Sequence, residues 1–145
     1  MSGGTYSTDA LQGTWTVVDV WGIWCSDCMA DAPFMNALAR AIEMDPDLNF
    51  ISIHTPPSAA RADEAFGAYG SVAAYFDARG YSYPTVVDAD ATIRDKLAIA
   101  WTPTYLLVAP DGSVAGFRTD LSAAPGQPVK DFLAQIAEVK AGWSP

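Results

Sequence analysis

The most constraining stretch of this sequence runs from Thr14 to Cys28. The segment Thr14-Trp15-Thr16-Val17-Val18-Asp19-Val20-Trp21 is dense in β-branched and aromatic side chains and does not alternate cleanly between apolar and polar. Such a run fits a strand buried on both faces of a sheet. It leads at once into Gly22-Ile23-Trp24-Cys25-Ser26-Asp27-Cys28, where the chain turns into a helix. The apolar positions Phe34, Leu38, Ala41 and Ile42 fall at helical spacing. Pro33 lies inside that pattern, and its ring opposes the carbonyl of Met29, so a kink is expected there.

The rest of the chain repeats the alternation. Phe50 to His54 reads as a second strand ended by Pro56-Pro57, and Ser58 to Gly70 as a loop or loose helix. Val72 to Arg79 reads as a helix closed by Gly80. Thr85 to Val87 is a short strand, and Asp90 is placed to cap a helix through Ile93, Leu97 and Ala98. Tyr105 to Val108 and Ser113 to Phe117 flank the turn Pro110-Asp111-Gly112, which predicts a hairpin. Pro128 opens a last helix with the stripe Val129, Phe132, Leu133, Ile136 and Val139. The order β-α-β-α-β-α-β-β-α predicts an α/β three-layer sandwich: a parallel sheet with helices on both faces and an antiparallel hairpin edge.

At 145 residues the chain suits one domain, residues 1–145, with a polar and flexible start at residues 1–10. Half of the residues are apolar, enough for a core. Eight Lys and Arg against 17 Asp and Glu leave a net charge of −9, which argues against nucleic acid or anionic membrane as partner. The longest charge-free apolar stretch, Leu97 to Pro110, is short of the ~20 residues of a membrane span. No signal peptide is visible in Met1 to Ala10.

The chemistry concentrates at the two cysteines. Cys25 stands where a helix begins, so free backbone N–H groups and the helix dipole favour its thiolate, the attacking form in disulfide exchange. Cys28, one turn on, lies on the same face and can close a ring with it. A closed zinc site would need four ligands, and the pair supplies two. The same two soft thiolates could instead carry a cuprous ion, with His54 and Met29 as the only further donors in view. Asp19, six residues before Cys25 in an apolar strand, is costly there without a role or partner; burial should raise its pKa and suit it to exchange a proton with Cys28. No Lys, Arg or His occurs from Met1 to Ala39, while Asp19, Asp27 and Asp31 lie close to the pair. Like charges disfavour a thiolate, so Cys25 should gain little stabilisation and the pair should act as a reductant, below about −200 mV.

The segment Asp19 to Cys28, with Pro33 five residues after the second cysteine and Pro103 in Trp101-Thr102-Pro103-Thr104, resembles the active-site segments of the thioredoxin superfamily. Cys28-Met29-Ala30-Asp31-Ala32-Pro33 and a long Phe50–Val87 stretch are similar to the TlpA/ResA-like branch, in which an insertion precedes the third core strand. Ser26-Asp27 between the cysteines departs from thioredoxins proper, and Asp19 stands where the branch often has Asn.

The resemblance implies a thioredoxin-like fold and thiol-disulfide oxidoreductase activity without a cofactor. It implies catalytic roles for Cys25, Cys28 and Asp19, with Trp24, Trp101, Thr102 and a cis Pro103 forming the substrate surface. Expected partners are client protein disulfides or thiols and an upstream thiol electron donor, with the protein a monomer. The bacterial cell envelope, with a targeting segment removed, is the favoured location, and the cytoplasm is the alternative.

Overall fold

A computed structural model describes residues 13–119, 121 and 126–143. The polar start at residues 1–10 lies outside them. Five strands form one sheet in the order β3-β2-β1-β4-β5, with β1 (Trp15–Trp21) at its centre. All seven residues of β1 are buried, as its unalternating composition requires. β2 (Leu48–His54) lies parallel to β1, and β3 (Thr85–Val87) parallel to β2.

β4 (Thr104–Val108) runs antiparallel to β1, and β5 (Val114–Thr119) antiparallel to β4. The antiparallel part therefore reaches the central strand, which is more than the hairpin edge the element order implied. The reason lies in the connection from β3 to β4. Thr104 pairs with Val20, at the same end of the sheet as the exit of β3, where Val87 pairs with His54. The connecting segment stays at that end, so β4 must run back. Its only helix, α3 (Thr92–Lys96), has five residues, too short to span a parallel crossover.

Helices α1 (Ser26–Glu43), α2 (Val72–Arg79) and α4 (Pro128–Gly142) join one core with Trp15, Val17 and Trp21 of β1 and Tyr105 and Leu107 of β4. The opposite face holds Val18, Val20, Ile51, Leu106 and Val108, with Ile99 packed on it just after α3 (Thr92–Lys96). α1 is continuous across Pro33. Its buried stripe is Cys28, Asp31, Ala32, Met35, Leu38, Ala39 and Ile42. Phe34 is only partly buried, so the stripe is rotated from the expected one and starts at the second cysteine. Gly80 closes α2 as expected, at φ 73°, and at its start Ser71 Oγ accepts the Ala74 N–H at 3.0 Å, a cap the sequence reading did not name.

At α3 the expected cap is corrected. Asp90 Oδ1 accepts the Thr92 N–H at 3.1 Å. Buried Asp88 accepts the Ile93 and Arg94 N–H groups at 3.1 and 3.0 Å, and the Thr55 hydroxyl at 3.1 Å. A carboxylate that arrives buried at the end of a strand reaches the helix amides better than an exposed one in the turn. It also ties α3 to the end of β2. The helix stops at Lys96, before Leu97 and Ala98.

Candidate active site

The turn after β1 is fixed from both sides by the end of β2. His54 Nε2 accepts the Ile23 N–H at 3.1 Å. The Trp24 indole donates to Thr55 O at 2.6 Å, and the Thr55 N–H donates to Trp21 O at 2.8 Å. Gly22 is required here, because a Cβ would lie 2.1 Å from Trp24 Nε1. The turn delivers Cys25 in extended conformation, φ −99° and ψ 115°, as the N-cap of α1. Its Sγ accepts the Cys28 N–H at 3.2 Å, so a sulfur performs the task usually given to a Ser or Asp oxygen.

Thr102 approaches the same sulfur from the start of β4. Its hydroxyl donates to Cys25 Sγ at 3.5 Å, and its carbonyl lies 3.6 Å away as acceptor for the Cys25 thiol. The Thr102–Pro103 bond is cis, as the resemblance implied. Both cysteines are free thiols.

The two thiols differ in kind. Cys25 is lowered from 9.0 to about 6, first by the hydrogen bond from the Cys28 thiol, with Thr102 and the Cys28 N–H also lowering it. Burial and, least, Asp27 oppose this. The expectation that nearby acids would leave the Cys25 thiolate with little stabilisation is corrected: short-range donors outweigh the charge of Asp27. Cys28, 1% exposed, is pushed strongly upward, chiefly by burial.

Asp19 is fully buried on the face of β1 that packs on α1, between Ser52 and Tyr105 in the strand register. Neither neighbour gives it a hydrogen bond. Ser52 Oγ donates to Pro84 O at 3.0 Å and pairs with Thr85 Oγ1 at 2.7 Å. Tyr105 donates to Asp31 Oδ2 at 2.9 Å, which also accepts the Leu121 N–H at 2.7 Å. Both Asp19 carboxyl oxygens are without a hydrogen-bond partner among the described residues. Burial raises its pKa well above the usual value, with Asp31 and Cys25 adding to the shift. Asp31 is therefore a hydrogen-bonded structural acid that also presses on Asp19.

Trp24 is half-buried, while Trp101, 55% exposed, turns outward. Both line a groove with Cys25, Asp27, Thr102, Arg61 and Arg94. These arginines were invisible to a reading confined to the first 39 residues; they come from the insertion and from α3. His54 faces inward, its ring 5.0 Å from both Phe66 and Trp21, and burial lowers its pKa to about 4. Its acceptor nitrogen Nε2 is committed to the turn, while the buried Nδ1 has no hydrogen-bond partner among the described residues. Among the described residues no group of three or more His, Cys, Asp or Glu converges as a metal site.

The AhpC/TSA family model matches residues 1–117. The soluble secreted antigen MPT53 of Mycobacterium tuberculosis is 28% identical over 127 residues, covering 88% of this chain and 65% of that protein. The thiol-disulfide oxidoreductase ResA of Bacillus subtilis is 22% identical over 104 residues, covering 72% of this chain and 52% of ResA. The chain thus spans less than two thirds of the length of these relatives. The crystal structure of a secreted Mycobacterium tuberculosis disulfide oxidoreductase homologous to E. coli DsbE shares the fold, with a TM-score of 0.64 at 22% identity over 92% of this chain and 87% of that one. The chain belongs to the AhpC/TSA family, on the TlpA/ResA-like side of the thioredoxin superfamily.

Proposed function

We propose that this chain is a thiol-disulfide oxidoreductase in which Cys25 and Cys28 cycle between dithiol and disulfide, reducing disulfides of client proteins. The observation that carries this is the asymmetry of the pair: Cys25 ionises at about 6, whereas Cys28 is buried and holds its proton.

The Cys25 thiolate attacks one sulfur of a client disulfide, forming a mixed disulfide and releasing a client thiolate. Cys28 then gives its proton to Asp19 in its ionised form, the buried carboxyl on this face whose oxygens have no hydrogen-bond partner among the described residues. The Cys28 sulfur attacks Cys25 Sγ, the second client thiol leaves, and the Cys25–Cys28 disulfide closes. Two electrons pass to the client, and an upstream thiol donor restores the dithiol. Trp24, Trp101, Thr102 and Pro103 form the wall along which an extended client segment lies, the edge at Thr102 offering strand-like pairing.

The direction rests on the degree of thiolate stabilisation. A value of about 6 for Cys25 lies nearer to thioredoxin, about 7, than to the strong oxidant DsbA, about 3.5. A glutathione titration followed by tryptophan fluorescence tests both parts. A reversible transition below about −200 mV is expected. A potential near −120 mV would reverse the direction. Copper retained after desalting, with no reversible disulfide transition, would assign the pair to cuprous-ion binding instead.

A further inference from the structure

The groove beside Cys25 is bordered by two arginines, Arg61 and Arg94, and one carboxylate, Asp27. The protein has a net charge of −9 and only eight Lys and Arg, yet Arg61 and Arg94 both border this groove. They are in different states. Arg61 grips both carboxylate oxygens of Glu64 through Nε and Nη2, at 2.7 and 2.9 Å, so its charge is matched. That is the only ion pair among the described residues. Arg94 is paired with no carboxylate among the described residues.

Arg94 is nonetheless held in place. Its Nε donates to Ile99 O at 3.3 Å, and its Nη1 to Pro56 O and Pro57 O at 3.1 and 2.9 Å. Its guanidinium carbon lies 5.9 Å from the centroid of the Trp24 ring. Carbonyl dipoles and an aromatic face fix a guanidinium without cancelling its unit charge. Nη2 donates to no described residue, so N–H groups remain for a ligand. An arginine immobilised in advance loses little further freedom on binding a carboxylate. Asp27, also on the groove, is paired with neither arginine.

We infer that Arg94 is a specificity-determining residue, which selects client segments carrying an Asp or Glu side chain close to the cysteine that Cys25 attacks. This rests on the exchange reaction proposed above. Trp101, exposed on the same groove, supplies apolar area for the client chain beside that contact. The inference opposes what net charge alone dictates: the field of a chain at −9 draws basic clients.

Three disulfide-bridged peptides test it, identical except for Asp, Asn or Lys next to the target cysteine. The wild-type protein should reduce the Asp peptide with kcat/KM about fivefold above the Lys peptide at low salt, the scale of one exposed ion pair. The preference should vanish at ~0.5 M salt, where screening is strong. Arg94→Met, which keeps the alkyl packing on Trp24, should lose the preference, and Arg94→Lys should keep part of it. A wild-type protein that prefers the Lys peptide or shows no preference would overturn the inference, whatever the variants do. So would an Asp preference that survives Arg94→Met. Failure to reduce any of the three peptides would instead overturn the exchange reaction itself, and the role of Arg94 with it.

Discussion

His54 Nε2 accepts the Ile23 N–H at 3.1 Å, so the chain's one histidine holds the turn that aims Cys25. The imidazole must stay neutral to accept, and burial keeps it so, its pKa lowered from 6.5 to about 4. His54→Leu would leave a buried N–H unpaired and should destabilise the protein by roughly 1–3 kcal/mol at pH 7. The folded-state pKa is the lower one, so between about 6.5 and 4 the unfolded chain binds the proton and the folded one does not. The stabilisation given by His54 is complete above about 6.5 and falls as the pH drops towards 4. Urea unfolding at pH 7 and pH 4.5 should show the gap between wild type and His54→Leu narrowing at the lower pH. A constant gap would contradict this.

Asp19 has the opposite sign. Its folded-state pKa lies above the unfolded one, so the folded protein retains a proton that the unfolded chain has lost. The cost of holding this carboxyl in the core grows as the pH rises from about 3.8 towards the raised value. Asp19→Asn should therefore be at least as stable as wild type near neutral pH. It should nevertheless turn over slower by roughly tenfold or more, because an amide cannot take the Cys28 proton. Insulin reduction measured from pH 6 to 9 checks both halves, together with a melting curve. Equal rates throughout would reduce Asp19 to a structural residue.

Gly22→Ala places a methyl group 2.1 Å from Trp24 Nε1, against a ring whose indole N–H is already committed to Thr55 O. The ring must move and that bond must break. A loss of roughly 1–3 kcal/mol is expected, with an altered tryptophan emission spectrum. A variant with unchanged stability and emission would show that the ring relaxes freely.

Much of the fold was legible where the signal is local. The burial of β1 on both faces follows from its unalternating residues, and the hairpin from Pro110-Asp111-Gly112, where Gly112 sits at φ 88°. Gly80 marks the end of α2 directly. The direction of β4 was not legible, because it depends on which end of the sheet its connection occupies. The capping of α3 by Asp88 was missed for a related reason: Asp90 has the better local position, but burial at the strand end aims Asp88 at the amides.

The site shows the same division. Cys25, Thr102 and Pro103 meet as their motifs implied, while the surroundings of Cys25 do not follow from the residues next to it in sequence. Counting acids near Cys25 underestimated the stabilisation of its thiolate. Hydrogen bonds from Cys28 and Thr102 dominate the thiolate, and Arg61 and Arg94 reach the groove from distant segments. His54 ends the second strand as read from the sequence, but only the fold shows it buried, with Nε2 accepting the Ile23 N–H.

The central claim is that Cys25 attacks and Cys28 resolves. The most direct measurement is mixed-disulfide trapping with single-cysteine variants and a disulfide-bonded client, read on non-reducing gels near pH 7. Cys28→Ser should accumulate a covalent adduct, because the Thr102 hydroxyl and the residue 28 N–H still favour the Cys25 thiolate and no resolving thiol remains. Cys25→Ser should accumulate none, because Cys28 is buried and protonated. Equal trapping by both variants, or trapping by Cys25→Ser alone, would contradict the assignment.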